Sequence, residues 1–218
     1  MITWDADRVR AALRVYLLAD TGLVAPEALP EVVAAAIRGG VTCVQLRDKV
    51  ATTLQQLELA RRLKAVCDAA DVAFIVNDRV DVALAAESDG AHVGHIGEED
   101  LMPQDARRLL GRDAILGVSV GTPGEAQTAA SQGASYVSAG PMFVTATKAN
   151  AGPAAGEPLL RSVRAATDLP LVVIGGITAS RASALFAAGA DGVCVGAAIL
   201  QSPDPEAAAR AFFEVGGA

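Results

Sequence analysis

A chain of 218 residues, with 52% hydrophobic, 20% charged and 4% aromatic side chains, can bury one large core, and this balance excludes disorder and a coiled coil. The net charge of −7, without a basic stripe, excludes a nucleic-acid partner. Charges interrupt the N-terminal stretch, which lacks a signal-peptide core, and no apolar run approaches the length of a membrane span. We therefore expect a cytoplasmic protein without a membrane partner.

Eight short, nearly continuous apolar runs alternate with longer segments of helical periodicity. Such runs are typical of parallel strands that are covered on both faces. They lie at residues 15–20, 42–48, 72–78, 90–94, 114–120, 136–141, 171–176 and 191–198. Eight strand–helix units predict a single α/β domain over 1–218, a (β/α)8 TIM barrel with its core at about 14–213. An open doubly wound sheet is the alternative fold.

The segments between the runs carry helix signals. Residues 53–71 place six apolar side chains on one predicted face: Leu54, Leu57, Leu59, Ala60, Leu63 and Val66. Residues 124–134 and 180–190 both end in Gly-Ala just before the next run, which indicates a helix C-cap.

Three cysteines, Cys43, Cys67 and Cys194, lie far apart in apolar surroundings. Their odd number and wide spacing favour neither a disulfide framework nor a metal site. We interpret them as small buried hydrophobic residues.

Polar residues follow several of the predicted strands, at the end of the barrel where active sites lie. Gln45 and Arg47 alternate along one strand and share a face that is compatible with the barrel interior. Arg47 and Lys49 suit a phosphate or diphosphate. The alternative is a surface salt-bridge cluster around Asp48.

The third, seventh and eighth strand ends each allow two interpretations. Asn77 and Asp78 form either a ligand pair or an Asx turn in which Asp78 caps the next helix. Gly175, Gly176 and Gly196 form either a phosphate cradle of backbone N–H groups or ordinary turns. Together these strand ends describe one mouth with a carboxylate pair, three cations and a phosphate cradle, and this pattern predicts metal-assisted diphosphate chemistry. The long irregular segment at 142–158 is a candidate lid.

The motifs "QLRDK", "NDR", "GVSV", "GPMFVTATK", "GGIT" and "AGADGV", in this order, resemble the thiamine-phosphate synthase family over about residues 14–213. "FVTATK" after a "GP" strand end is the specific element. The resemblance implies an Mg²⁺-dependent transferase. Its substrates would be 4-amino-2-methyl-5-hydroxymethylpyrimidine diphosphate and 4-methyl-5-(2-hydroxyethyl)thiazole phosphate, and its products thiamine phosphate and diphosphate. A homo-oligomer is compatible with the sequence.

The resemblance also implies roles for individual residues. The pyrimidine diphosphate would be held by Gln45, Arg47, Lys49, Asn77, Ser119 and Lys148. The thiazole phosphate would contact Thr145, Ala146 and Thr147, with its phosphate cradled by Gly176, Gly196 and Ala197. Mg²⁺ would bind Asp78 and Asp100. The expected catalytic set is Arg47, Lys49, Ser119 and Lys148, which act by neutralising charge and aligning substrates.

The sequence departs from the family pattern at the eighth strand, where Gly196-Ala197 replaces a bulkier aliphatic residue followed by Ser. This change keeps the backbone N–H groups and removes a hydroxyl contact to the thiazole phosphate. Three other functions are weighed against the synthase. They are a related thiazole tautomerase, which generally lacks Asp78 and the "TATK" loop, a non-catalytic thiamine-phosphate sensor, and a generic phosphate-binding barrel.

The segment "HVGHIGEED" at 92–100 is longer than the family's approximate His-x-Gly-Gln-x-Asp. Aligned from the right, Asp100 takes the metal role and Glu98 stands where Gln is usual. Mg²⁺ prefers oxygen ligands, so we interpret His92, at the strand end, and His95, in the loop, as non-ligands. Glu98 either adds a carboxylate near the metal or faces solvent.

Overall fold

A computed structural model describes residues 4–94, 101–145 and 153–216. Its strands are β1 Val15–Asp20, β2 Cys43–Arg47, β3 Ala73–Asn77, β4 Gly90–Val93, β5 Ile115–Val120, β6 Tyr136–Ala139, β7 Leu171–Ile174 and β8 Gly192–Val195. All neighbouring pairs are parallel, and β8 pairs with β1, so the sheet closes into a barrel in sequence order. The predicted TIM barrel is confirmed, and the open sheet is wrong.

After the first helix, which precedes β1, the helices follow the strands and cover the outside of the barrel. In the described part of the chain they are α1 Ala6–Ala12, α2 Leu29–Arg38, α3 Thr53–Asp68, α4 Val80–Ala85, α5 Pro103–Leu110, α6 Pro123–Ser131, α7 Gly156–Ala166, α8 Ala179–Ala187, α9 Ala197–Leu200 and α10 Pro205–Gly216. Within those residues, none of these helices combines the length and apolarity that crossing a bilayer requires.

Alternate strand residues pack into two separate apolar layers. One set points outward and packs under the helices with residues such as Val44 and Leu46. The other set points inward and fills the barrel: Tyr16, Leu18, Cys43, Ala73, Ile75, Ile115, Tyr136, Val172 and Cys194. Burial on both faces explains why the strands read as continuous apolar runs. Each buried aliphatic side chain stabilises the fold by about 1.5–3 kcal/mol.

Helix α3 shows where the predicted periodicity was right and where it failed. A capping box joins Thr52 and Gln55 at its start. Leu59 and Leu63 are buried as predicted, but Leu54 is 65% exposed. Leu54 stands on the opposite side of the first turn from the buried face, which begins instead at Gln56. The predicted apolar face is therefore wrong in its first turn.

The predicted C-caps of α6 and α8 are confirmed. Gly133 has φ +88° and Gly189 has φ +107°, which is the left-handed conformation that glycine adopts without strain. The amide of Ala190, after the second glycine, donates to the carbonyl of Leu185 at 3.1 Å. These turns end both helices just before the next strand.

Helix α1 closes the N-terminal end of the barrel, which we call the base. Asp5 caps it by accepting from the Arg8 amide at 2.8 Å. Its Val9, and Leu13 just after it, pack into the inner layer with the barrel side chains. The sequence did not predict this helix. Because the base is closed, the opposite end, which we call the mouth, is where a ligand can enter.

Candidate active site at the barrel mouth

The mouth is formed by the C-terminal ends of the strands, where polar side chains replace the apolar ones. The parallel registers place Asp20 beside Arg47, and Asn77 beside His92. Ser119 lies one position before the end of β5. The predicted residues Arg47, Asn77 and Ser119 therefore come together at one level of the barrel.

Arg47 is held by a carboxylate that the sequence analysis did not single out. Its Nη1 donates to Oδ2 of Asp20 at 2.6 Å, while Oδ1 of Asp20 accepts from the Gly22 amide at 2.8 Å. Asp20 is only 3% exposed. The guanidinium thus stands at the mouth in a fixed direction, as bidentate recognition of an anion requires. In the sequence, Asp20 could have been recognised as the charged residue that ends the first apolar run.

Lys49 forms an ion pair with Asp78, across the ends of β2 and β3. Asn77 also donates to Oδ2 of Asp78, from Nδ2 at 2.5 Å. Asp78 has φ +60°, and the helix that follows has no side-chain cap, so the proposed Asx cap is wrong. The Asp48 carboxylate accepts only from the amides of residues 50 and 51 among the described residues, so the salt-bridge cluster around it is wrong as well.

The loop that carries Lys49 is braced by Arg79, the last residue of the "NDR" motif. Arg79 donates to Oε1 of Gln56 at 3.3 Å and to the hydroxyl of Thr53 at 2.9 Å. Gln56 in turn donates to the carbonyl of Asp48 at 2.8 Å. Arg79 is therefore a positioning residue for the segment between β2 and α3. Sequence reasoning missed this role because the partners are more than 20 residues away.

Below the mouth, Gln45 is buried and donates from Nε2 to the hydroxyl of Tyr16. The prediction that Gln45 and Arg47 share one face is confirmed, and that face is the barrel interior. Ser119 is half-buried, and its Oγ lies 3.0 Å from Nε2 of His92. His92 is thus an interior side chain of β4, as the assignment of "HVG" to a strand predicts.

The glycines in the loops after β7 and β8 differ in how much space surrounds them. Gly176 has φ +61°, and a Cβ there would lie 2.5 Å from the carbonyl oxygen of Val144. Its own carbonyl accepts from Nη1 of Arg181 at 3.0 Å. At Gly196 the nearest atom to a Cβ would be 3.6 Å away, an ordinary contact. Gly176 is therefore required by packing, whereas Gly196 leaves room that a larger residue would fill.

Several predicted positions lie outside the described residues. They are Asp100, Ala146, Thr147 and Lys148, together with His95, Glu98 and Glu99 of the "HVGHIGEED" segment. Thr145, at the edge of the described part, is half-buried. Among the described residues, no three His, Cys, Asp or Glu side chains are grouped closely enough to hold a metal. Asp78 alone represents the predicted Mg²⁺ site here, and its carboxylate already holds a cation, the Lys49 ammonium.

The three cysteines are free and buried, as predicted. Burial raises the pKa of Cys67 to about 12 and raises that of Cys43 and Cys194 as well. Thiols that stay protonated are poor nucleophiles. They contribute to packing rather than to covalent catalysis.

This fold defines a (β/α)8-barrel protein whose mouth carries the cations Arg47 and Lys49. The family model described as "Thiamine monophosphate synthase" matches residues 15–199. The thiamine-phosphate synthase of Roseiflexus castenholzii is 45% identical over 92% of this chain and 87% of its own length. A thiamine biosynthesis bifunctional protein of Symbiobacterium thermophilum is 45% identical over 88% of this chain, which spans 39% of that protein.

A solved thiamine phosphate pyrophosphorylase from Pyrococcus furiosus superposes with a TM-score of 0.86 and 32% identity, covering 95% of this chain and 97% of that one. The family match covers far more than half of the chain. The chain belongs to the thiamine monophosphate synthase family.

Proposed function

We propose that this protein joins the pyrimidine diphosphate named above to the thiazole phosphate, and releases thiamine phosphate and diphosphate. One observation carries the proposal. Strand β2 and the residues after it place an amide, Gln45, then a guanidinium, Arg47, then an ammonium, Lys49, in order from the barrel interior to its rim. This order suits a ligand with a flat polar ring below and a diphosphate above.

The proposed reaction needs positive charge more than it needs a base. The thiazole nitrogen is already a nucleophile without a proton to remove, and the leaving group is diphosphate. Arg47 and Lys49, with Lys148, would neutralise the charge that develops on that leaving group. Ser119 and Asn77 would hold the pyrimidine end in line with the incoming ring. Membership of the family supports these assignments.

Mg²⁺ would be held by Asp78 and Asp100 in this proposal. Carboxylate oxygens are the ligands that Mg²⁺ prefers, and the Asp78 side chain is 14% exposed at the mouth with a cation on it. When bound, the metal supplies further charge neutralisation for the diphosphate. Lys49 would then leave Asp78 and turn to the substrate.

The thiazole phosphate would occupy the other side of the mouth, against Thr145, Ala146 and Thr147. Its phosphate would meet the backbone of Gly176, Gly196 and Ala197, at the loops where TIM barrels commonly bind phosphate. The close approach of Gly176 to the carbonyl of Val144, next to Thr145, makes the two proposed contact segments adjacent and supports this placement. The space left at Gly196 would remain open to the ligand.

The decisive experiment is to incubate the purified protein with both substrates and Mg²⁺ and to measure thiamine phosphate and diphosphate. Equal amounts of the two products are expected. Absence of both would contradict the proposal, and isomerisation of a thiazole phosphate alone would point to the tautomerase. Asp78→Ala separates a synthase from a sensor, since a synthase should lose turnover far more than ground-state binding.

A further inference from the structure

A continuous chain of hydrogen bonds crosses the barrel interior below the mouth. It runs from Gln45 to Tyr16, then to Tyr136, to His92 and to Ser119. The two phenol oxygens lie 2.8 Å apart, Tyr136 Oη lies 2.9 Å from Nδ1 of His92, and Nε2 of His92 lies 3.0 Å from Ser119 Oγ. The three central residues are buried, and no role follows for them from the motifs of the sequence.

The inner layer is shaped to admit this chain. Gly117 of β5 faces the interior, where a Cβ would lie 2.2 Å from Cζ of Tyr136 and 2.4 Å from Nδ1 of His92. Any side chain at this position would therefore push the two rings apart. A barrel interior filled by aliphatic residues would need no such gap, so the glycine belongs to the polar chain.

The donors and acceptors fix the direction of the chain. The Nε2 group of Gln45 can only donate, so Tyr16 accepts from it and passes its own proton to Tyr136. Tyr136 then donates to Nδ1 of His92, which leaves the imidazole proton on Nε2, facing Ser119. Burial raises the pKa of both phenols, so each tyrosine keeps its single proton.

We propose that Tyr16, Tyr136 and His92 are positioning residues that set the hydrogen-bond polarity of Gln45 and Ser119. This inference rests on the proposed function, in which those two side chains hold the pyrimidine. With Nε2 committed to Tyr16, Gln45 offers Oε1 to the ligand as an acceptor. With Oγ accepting from His92, Ser119 offers its O–H as a donor.

An aminopyrimidine needs this pair of groups. Its exocyclic amino group donates, and its ring nitrogens accept. The 4-oxo analogue carries an acceptor in place of the amino group, so it would face an acceptor on Gln45. The chain would thus select the amino form of the ring without any charged contact to it.

The first test reads the tautomer of His92 in the free protein, without any substrate. The chain contains only two histidines, so ¹⁵N spectra of the imidazole nitrogens can be assigned with a His95→Ala variant. We expect Nε2 of His92 to carry a proton and Nδ1 to accept from Tyr136. A proton on Nδ1 would overturn the proposal, whether or not the protein makes thiamine phosphate.

The two tyrosines provide matched variants, since each loses one buried phenol oxygen. Tyr16→Phe frees Gln45 but leaves Tyr136 donating to His92, so the tautomer should be retained. Tyr136→Phe removes the donor to His92, and the imidazole should become a mixture of both tautomers. Identical tautomers in the two variants would contradict the chain. If Tyr136→Phe fails to fold, the tautomer of His92 in the wild-type protein still tests the proposal.

Activity gives the second readout. Tyr16→Phe and Tyr136→Phe should each lower kcat/KM for the pyrimidine diphosphate by about tenfold, which corresponds to the loss of one well-made neutral hydrogen bond. The preference for the amino ring over the 4-oxo analogue should fall by a similar factor. Ser135→Ala, which removes a half-buried hydroxyl next to Tyr136 but outside the chain, should leave both quantities unchanged. Unchanged discrimination in Tyr136→Phe would reject the proposal even if the enzyme is active.

Discussion

The two ends of the barrel use charged side chains differently. At the base, Asp191 accepts from Arg10 at 2.9 Å, from Arg164 at 3.0 Å and from the Leu171 amide at 2.8 Å. At the mouth, within the described residues, Arg47 and Lys49 each pair with one carboxylate. An incoming anion can replace one carboxylate, but it cannot replace a set of bonds that ties three elements together. The bonds at the base therefore stabilise the fold, whereas the single ion pairs at the mouth suit the anion binding proposed above.

Arg107, also at the base, has most of its N–H groups bonded to other groups of the protein. It donates to the carbonyls of Gly133, Gly111 and Ala114 and to the hydroxyl of Ser135. Burial lowers the pKa of its guanidinium, which nevertheless remains charged. Such a side chain acts as a fixed joint between α5, α6 and β5 and has little capacity left for a ligand.

The largest expected effect comes from the mouth. Lys49→Ala should lower kcat/KM about a hundredfold, because one positive charge facing the developing diphosphate is lost. The Tm should change little, since the Lys49 side chain is 53% exposed. Arg38→Ala breaks the exposed ion pair with Glu206 on the outer helices and serves as the control for loss of a surface cation. Equal activity losses in the two variants would show that only overall charge matters.

The next effect belongs to the base. Asp191→Ala should lower the free energy of unfolding by about 2 kcal/mol, because two arginines and one amide lose a partly buried partner. For a chain of this size the Tm should fall by about 4–8 °C. Well below the Tm, kcat/KM should equal that of the wild type. Asp7→Ala, which removes the exposed second partner of Arg10, should leave the Tm unchanged.

A smaller effect should follow from the brace behind Lys49. Arg79→Ala removes the bonds to Gln56 and Thr53, and we expect kcat/KM to fall on the order of tenfold as the loop loses its fixed position. Asp81→Ala removes the other partner of Arg79 and keeps the brace, so its kinetics should match the wild type. A loss of kcat/KM of the same size in Asp81→Ala would show that the bonds of Arg79 to Gln56 and Thr53 are not its cause.

The smallest effect is a gain. Ala197→Ser restores the hydroxyl at the position where the family pattern has Ser, and it should lower the KM for the thiazole phosphate about threefold with kcat unchanged. The KM for the pyrimidine diphosphate should stay constant. A rise in the thiazole-phosphate KM would mean that the phosphate does not lie against the start of α9.

The sequence predicted the strands well because burial on both faces leaves a direct trace in composition. It also placed Arg47 and Asn77 at the mouth, with Gln45 on the same face as Arg47, since polar residues that end apolar runs stand out. It did not reveal that Asp20 holds Arg47, because that contact depends on the register between β1 and β2. Tyr136 was hidden for another reason: an aromatic residue in an apolar strand is expected whether or not its hydroxyl has a partner.

Helix α1 and helix α10 meet at the same end of the barrel. Arg10 of α1 bonds to Asp191, and a Cβ at Gly216 of α10 would lie 3.1 Å from Nε of Arg14, just before β1. The described chain therefore begins and ends on the side of the barrel away from the mouth, so both of its ends are remote from the residues that we propose to bind substrate.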